Sequence, residues 1–318
     1  GDWISLSLID QSPDLLQSEL AGFQVIDKRW TNINGVGIQV TERHQIESLN
    51  GRVIRLTVPV IKPIDARYDW HVERFEPLAE VGFEHLRFEG DWQERFVHHR
   101  SWMDDGGYTM LSLHGVVNSW VRECQFLNVN RAGSVSGSAQ VTVLDTTVEG
   151  TPGHSAINFP GSSFCLMARV RDLASQWHSV GVSSTSIGNV IWRCYWESNT
   201  CFESHAGQPR HTLIDSCIGG FMTGRAGGAS GSLPNHLEGL VLWNHFKTNE
   251  PLNDFPFEPL EQTYWRILQP LIVGMHGTEI DFRAGQSTVI SLGEPIAEGS
   301  LYEYQVKQRL GDLPMDLR

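Results

Sequence analysis

Six short segments of β character recur along the chain: WVRECQF (120–126), VLDTTV (143–148), ARVRDL (168–173), VIWRCYW (190–196), LIDSCIG (213–219) and LVLWNHF (240–246). Aligned, they place Cys124, Thr146, Val170, Cys194, Cys217 and Asn244 in one column, with steps of about 22 to 28 residues. A second column runs about ten residues ahead of the first: MLSLH (110–114), GSVSG (133–137), SAINF (155–159), SVGVS (179–183) and CFESH (201–205). The rows alternate or are rich in β-branched and aromatic residues, and Gly, Ser, Asn and Pro separate them. Two strands per period cannot close a hairpin ladder at this spacing. They suit a solenoid whose coils lie about 4.8 Å apart, the separation of hydrogen-bonded strands. The expectation is an all-β chain: a right-handed parallel β-helix with coils of about 23 residues.

Inward positions of such a coil stack on their equivalents above and below, so Cys124, Cys194 and Cys217 are expected as inert core thiols. Five Cys is an odd number and no CxxC pair occurs, so neither a disulfide scaffold nor a zinc ribbon is implied. The net charge of -13 repels a phosphate backbone, which argues against a nucleic-acid partner. No run of eighteen apolar residues is present, so no helical membrane span is expected.

Upstream of the columns, residues 35–60 alternate strongly and contain Asn50-Gly51, a hairpin signal. The first clear coil is VGFEHLRFEG (81–90). The reading is one domain over 1–318, with entry strands in 1–75, regular coils in 81–250 and final coils in 251–318. Insertions at 91–109 and 219–239 interrupt the regular coils, and such insertions are where a solenoid builds binding walls. LYEYQVKQRLGDLP (301–314) has helical spacing with Gly311 and Pro314 at its end, which predicts a short C-terminal helix covering the last coil.

GDWISL (1–6), IESLNGRVIRL (46–56), VGFEHLRF (81–88), NSWVRECQF (118–126) and LPNHLEGLVLWNHF (233–246) resemble the pectate-lyase-like β-helix superfamily. Within it they look like the later part of large bacterial proteins linked to polysaccharide breakdown. The resemblance covers roughly 1–315 and specifies the fold better than the reaction. It implies a polysaccharide substrate and a secreted or periplasmic location. It also implies coils ahead of Gly1-Asp2-Trp3, whose place a missing N-terminal part of the same β-helix or a second copy would take. The alternative is that residues 1–30 form their own cap.

The densest polar stretches are FESHAGQPRHTLID (202–215) and TGRAGGASGSLPNH (223–236). Glu203, His205, Arg210, His211, Arg225 and His236 are the catalytic candidates, because adjacent coils bring matching positions within roughly 5 Å. His154 and His178 lie one period apart with Thr200 continuing their column, and His114 and His205 fall at similar places in the second column. A wall of imidazoles along one face follows. His154, His178, Gln208 and Asn235 are candidate substrate contacts, and Trp102 and Trp177 candidate sugar platforms. Each has a structural reading too: Glu203 can pair with His205, Arg225 can anchor a loop, and His236 can bond the backbone near Pro234.

Two mechanisms fit. In a uronate lyase His205, His211 or His236 removes the proton at C5, while Arg210, Arg225 or calcium steadies the carboxylate. In a glycoside hydrolase two carboxylates flank the scissile oxygen, and Asp104, Asp105, Glu203 and Glu238 are available. Adjacent Asp side chains point apart on extended backbone, so the lyase is favoured. A non-catalytic carbohydrate-binding solenoid is the third reading. His98-His99 with Asp104 and Asp105 offers metal-ligand types, but adjacent His on a strand face opposite ways, so no metal ligand is assigned. The Gly-rich GRAGGASGS lacks the GK[ST] of a phosphate loop.

Overall fold

The computed structural model describes residues 1–225, 227–261 and 264–318. It is an all-β parallel solenoid of about seven turns spaced by about 24 residues. The coils build three parallel sheets, of ten, eight and five strands, and the later coils add a parallel pair, Leu252–Phe255 with Ile280–Phe282. Sequence alignment predicts two strand columns per turn. The first of them divides, because a single residue in left-handed conformation bends the chain in the middle of each segment. His85, Glu123, Asp145, Arg169, Arg193, Ser216, Asn244, Gly274 and Ser291 occupy this corner, all with φ between 47° and 65°.

The corner is repeated because its hydrogen bonds are. The N–H of Glu123 donates to Leu144 O, that of Asp145 to Ala168 O, that of Arg169 to Trp192 O and that of Arg193 to Asp215 O, each on the following coil. Two residues on, the bonds run the other way, from Thr147 to Cys124 O and from Arg171 to Thr146 O. A left-handed non-glycine residue costs roughly 1 kcal/mol, which this two-way ladder offsets.

Ahead of the corner, Thr142, Leu166, Val190, Leu213, Val241 and Leu271 pair in unbroken register. Their neighbours Val143, Met167, Ile191, Ile214, Leu242 and Ile272 form a buried ladder in the core. Behind the corner the inward column is Cys124, Thr146, Val170, Cys194, Cys217, His245 and Met275, all buried. Asn244 is therefore not part of the cysteine column. It stands at the corner, where its Nδ2 donates to Glu298 O at 3.0 Å and Ile296 N donates to its Oδ1 at 2.9 Å. All five cysteines are free and buried.

Residues 3–75 make a separate four-stranded antiparallel sheet, in the order Val53–Leu56, Ile38–Asn50, Trp3–Asp10, Trp70–Phe75. The hairpin forms at Asn50-Gly51, with Asn50 opposite Val53. Gly1-Asp2-Trp3 thus leads into an antiparallel strand and does not open a coil, and the end strands of the solenoid are supplied by residues 78–89. Leu8, Leu20, Trp30, Ile33 and Val40 pack against Ile187, Ala206, Leu233 and Leu237, so the antiparallel sheet lies on the side of the stack.

The C-terminal helix spans Leu301–Leu310, capped by Ser300 and closed by Gly311 at φ 84°. It does not cover the last coil. Tyr302 sits against Trp192, and Leu317 joins Leu144, Ala168 and Trp192, because those outward apolar residues in the middle of the ten-stranded sheet need cover. Asp215 holds the helix start, accepting from Ser300 Oγ at 2.8 Å and Tyr302 N at 2.6 Å.

The closeness of coils leaves no room at some positions. A Cβ on Gly219 would lie 2.2 Å from Trp196 Cδ1, and Trp196 is fully buried and stacked on His245. Gly219→Ala should therefore lower unfolding free energy by about 1–3 kcal/mol in denaturant titration. A loss below about 0.5 kcal/mol, the range of a surface change, would contradict this packing.

Candidate functional site

The five-stranded sheet, Thr109–His114, Arg131–Ser136, Ser155–Pro160, Gly181–Ser183 and Glu203–Ser204, carries the polar cluster at one edge. Its register decides which candidates meet. Ser155 pairs with His178, so His154 lies opposite Trp177, one residue off the predicted column. The two imidazoles meet diagonally, with ring centroids 5.2 Å apart. His205 follows at 5.8 Å from His178. Thr200 is buried, its hydroxyl donating to Gln176 O at 2.6 Å. His114 shares the register of His205 but stands at the far strand of the sheet, bonded to Ser136 Oγ. The imidazole wall is thus shorter than predicted.

A buried network fixes the turns that present these rings. Asp172 accepts from Gln176 N, and Gln176 Oε1 accepts from Gly153 N, which precedes His154. Gln176 Nε2 donates to Val129 O at 3.1 Å. One polar chain therefore sets the position of His154 and of Trp177-His178 on neighbouring coils.

Both insertions reach the cluster. The first folds around Asp104, which is buried and accepts from Arg100, Ser101 Oγ and Val97 N. These donors hold its carboxyl at about 2. His99 has φ 63°, so the segment is not a strand and His98 and His99 do not face opposite ways: their rings lie 3.6 Å apart. His98 stacks on Trp177 at 4.7 Å and stands 5.6 Å from His178. The second insertion brings Arg225, whose guanidinium lies 3.5 Å from the Trp177 ring centroid and whose carbonyl is 2.7 Å from His178 Nδ1. Gly227, at φ 75°, closes over the site. A Cβ there would lie 2.4 Å from His205 Cδ2 and 2.7 Å from Glu203 Oε1, so only glycine fits.

Glu203 is the carboxylate in the middle. Its Oε2 accepts from Asn158 Nδ2 at 2.8 Å, while Oε1 stands 3.3 Å from His178 Nδ1 and 3.7 Å from His205 Nε2. Burial raises its pKa, with the nearby His205 opposing. Burial also pushes His154 down to about 4, lowers His178 well below the imidazole range and lowers His98. His154 and His178 are accordingly neutral at neutral pH, and His205 is the exposed side chain of the cluster, at 46%.

The remaining candidates serve the fold. Gln208 Nε2 donates to Gly37 O and Arg210 Nη1 to Gln39 O, tying the antiparallel sheet to the solenoid. Arg210 is buried and paired with Glu19 at 3.0 Å. His211 faces Glu238, which also binds Lys62 and is held at about 2 by these partners. His236 is buried between Leu237 O and Thr212 Oγ1, with burial pushing it to about 3. Asn235 supports the site from behind, donating to Gly227 O at 2.7 Å. Trp102 is 71% exposed on the short helix of the first insertion, and no ring contact of the cluster includes it among the described residues. Asn158 and Phe96, whose ring stacks on His154 at 5.6 Å, are not among the sequence candidates, and His98 enters there only as a metal-ligand type that is not assigned. Asn158 sits in an ordinary strand pattern and gives no signal, whereas His98 could have been found by treating its insertion as a loop.

Three groups have ligand-type atoms mutually within 4.8 Å: His98, His154, His178; His98, His99, Asp105; and His178, Glu203, His205. Each has at most one carboxylate. Calcium takes six to eight oxygen ligands, so this donor set does not fit the calcium expected as a carboxylate stabiliser. One groove of about 600 Å³ lies elsewhere, on the outer face of the ten-stranded sheet, lined by Glu84, Trp120, Gln140, Phe164 and Tyr302, and another of about 630 Å³ lies beside the first insertion, lined by Asp91, Trp92, Met103 and Tyr108. In the former, Glu84 is engaged by Trp120 and Arg122.

Among families, the model of a domain of unknown function (DUF4955) matches residues 175–318. No curated protein and no solved structure matches the chain. The match begins just ahead of Trp177-His178 and includes Glu203, His205 and Arg225, but not His98 or His154.

The network beneath the site has a pH consequence. Burial raises the Asp172 carboxyl from 3.8 to about 7. Between those values the folded chain holds a proton that the unfolded chain has lost, so stability falls as pH rises from about 4 to about 7. Asp172→Asn should remove that slope: melting temperatures of the wild type should drop relative to the variant across this window. Parallel curves would show that Asp172 does not titrate there.

Proposed function

We propose that this chain is a carbohydrate-active enzyme of the pectate-lyase-like superfamily that cleaves a uronate-containing polysaccharide by β-elimination. The observation that carries the reading is the meeting of buried His178 and Glu203 with exposed His205, beside Trp177 and the Arg225 that the second insertion brings. The parallel solenoid supports it, since a long flat flank suits an extended polymer.

In this reading His205, whose side chain is 46% exposed, takes the C5 proton on the ring nitrogen that does not face Glu203. The electron pair forms the C4=C5 double bond and the C4–O bond breaks, with the leaving oxygen protonated from solvent. Arg225 pairs with the uronate carboxylate as charge spreads into it. Its guanidinium is pre-positioned by the Trp177 face. Glu203 orients His205 and His178. Hydrolysis would need a second free carboxylate beside Glu203, and Asp104, Asp105 and Glu238 are engaged by Arg100, His99 and Lys62. A polymer of this kind would place the protein in the secreted or periplasmic space.

Incubation with polygalacturonate, alginate and glucuronan should give, for one of them, the ultraviolet absorbance of an unsaturated uronyl end. His205→Ala should lower kcat/KM by about 10²–10⁴-fold while retaining polymer in affinity electrophoresis. Reducing ends without that absorbance would mean hydrolysis, and retention without any cleavage would mean a binding solenoid. Either result overturns the proposal.

A further inference from the structure

We infer that His98, His154 and His178 form a binding site for one divalent transition-metal ion of the zinc type. One ligand atom from each residue lies within 4.8 Å of the others. The rings stand 5.2 to 5.9 Å apart, one from the first insertion and two from neighbouring coils. Zinc–nitrogen bonds of about 2.0–2.1 Å put tetrahedral ligands roughly 3.3 Å apart, so closure takes a small shift. His98 can supply it, since it is carried by a loop and only half-buried.

The hydrogen bonds assign the nitrogens. His178 Nδ1 faces the Arg225 carbonyl at 2.7 Å, so it carries the proton, and Nε2 keeps its lone pair. Among the described residues that Nε2 is buried without a hydrogen-bond partner, as is His154 Nδ1. A buried polar atom left unpaired is costly, and a cation that receives both lone pairs would account for the two. Glu203 Oε1, 3.3 Å from His178 Nδ1, then stands behind the ring as the carboxylate that orients a metal-bound histidine. Three imidazoles leave the fourth tetrahedral position to water or another ligand. The five cysteines are free and buried, and none belongs to a ligand-type group among the described residues.

The inference does not depend on the cleavage chemistry, because its readout is the metal itself. Tag-free protein stripped with chelator is titrated with Co²⁺, followed by visible d–d absorption, and with Zn²⁺, followed by calorimetry and metal analysis. Saturation at one equivalent is expected. His154→Ala should abolish it, His98→Ala should weaken it at least tenfold, and Glu203→Gln should weaken it about 10–100-fold. His114→Ala, on the same sheet but away from the trio, should bind as the wild type does. His98→Ala is a loop change that leaves the core intact, so the test survives if His154→Ala fails to fold. Absence of stoichiometric binding overturns the assignment, as does binding that His98→Ala leaves unchanged.

Discussion

Everything in this molecule depends on one backbone device: the left-handed residue at the corner of each coil, whose N–H reaches forward to the next coil while the residue two further on reaches back. Bonds such as Arg169 to Trp192 O and Arg171 to Thr146 O leave neither coil free to slide. A slip of one residue would turn the Val143-to-Ile272 ladder outward and expose six buried side chains. The corner therefore sets the register, and the register sets the core.

The same constraint builds the candidate site. Residues about two dozen apart in sequence become neighbours at one strand spacing, which is how His154, Trp177, His178 and Glu203 come to share an edge of the five-stranded sheet. Regular coils alone would leave this edge open. Two irregular insertions close it, one folded around the buried Asp104 and the other held by Asn235 and admitted by Gly227. The polar groups there keep unpaired nitrogens and a buried carboxylate that a structure built for stability alone would avoid. His245, buried in the core column with no partner for either ring nitrogen among the described residues, has the same cost, and nothing in the structure explains it.

The fold was legible because repetition averages out local noise. The SAINF row lies within Ser155–Pro160, the SVGVS row ends on Gly181–Ser183, the cysteine column falls at the bend between the two strands of each segment, and Ser300 to Gly311 forms the predicted helix with both caps. The corner was hidden, since Glu123, Asp145, Arg169 and Arg193 share no side-chain chemistry and only the backbone is common. The Asn244 misplacement followed from that: the interval at Cys217 includes an insertion, and His245 is the true successor. The site was legible only as a region. Glu203, His205, Arg225, His154, His178 and Trp177 converge, whereas Arg210, Gln208, His211 and His236 lie nearby in sequence yet face the antiparallel sheet or the core. Nothing in a local pattern reports that residues 3–75 leave the solenoid and dock on its side.

The central claim is that the working face is the edge where the two insertions meet, and not the groove on the opposite, ten-stranded sheet. A crystal structure with a bound uronate oligosaccharide tests it most directly. The account predicts sugar rings beside Trp177, with a carboxylate on Arg225 and a C5 carbon within reach of His205. Sugar seated instead along Trp120, Gln140 and Phe164, with the histidine cluster vacant, would contradict it.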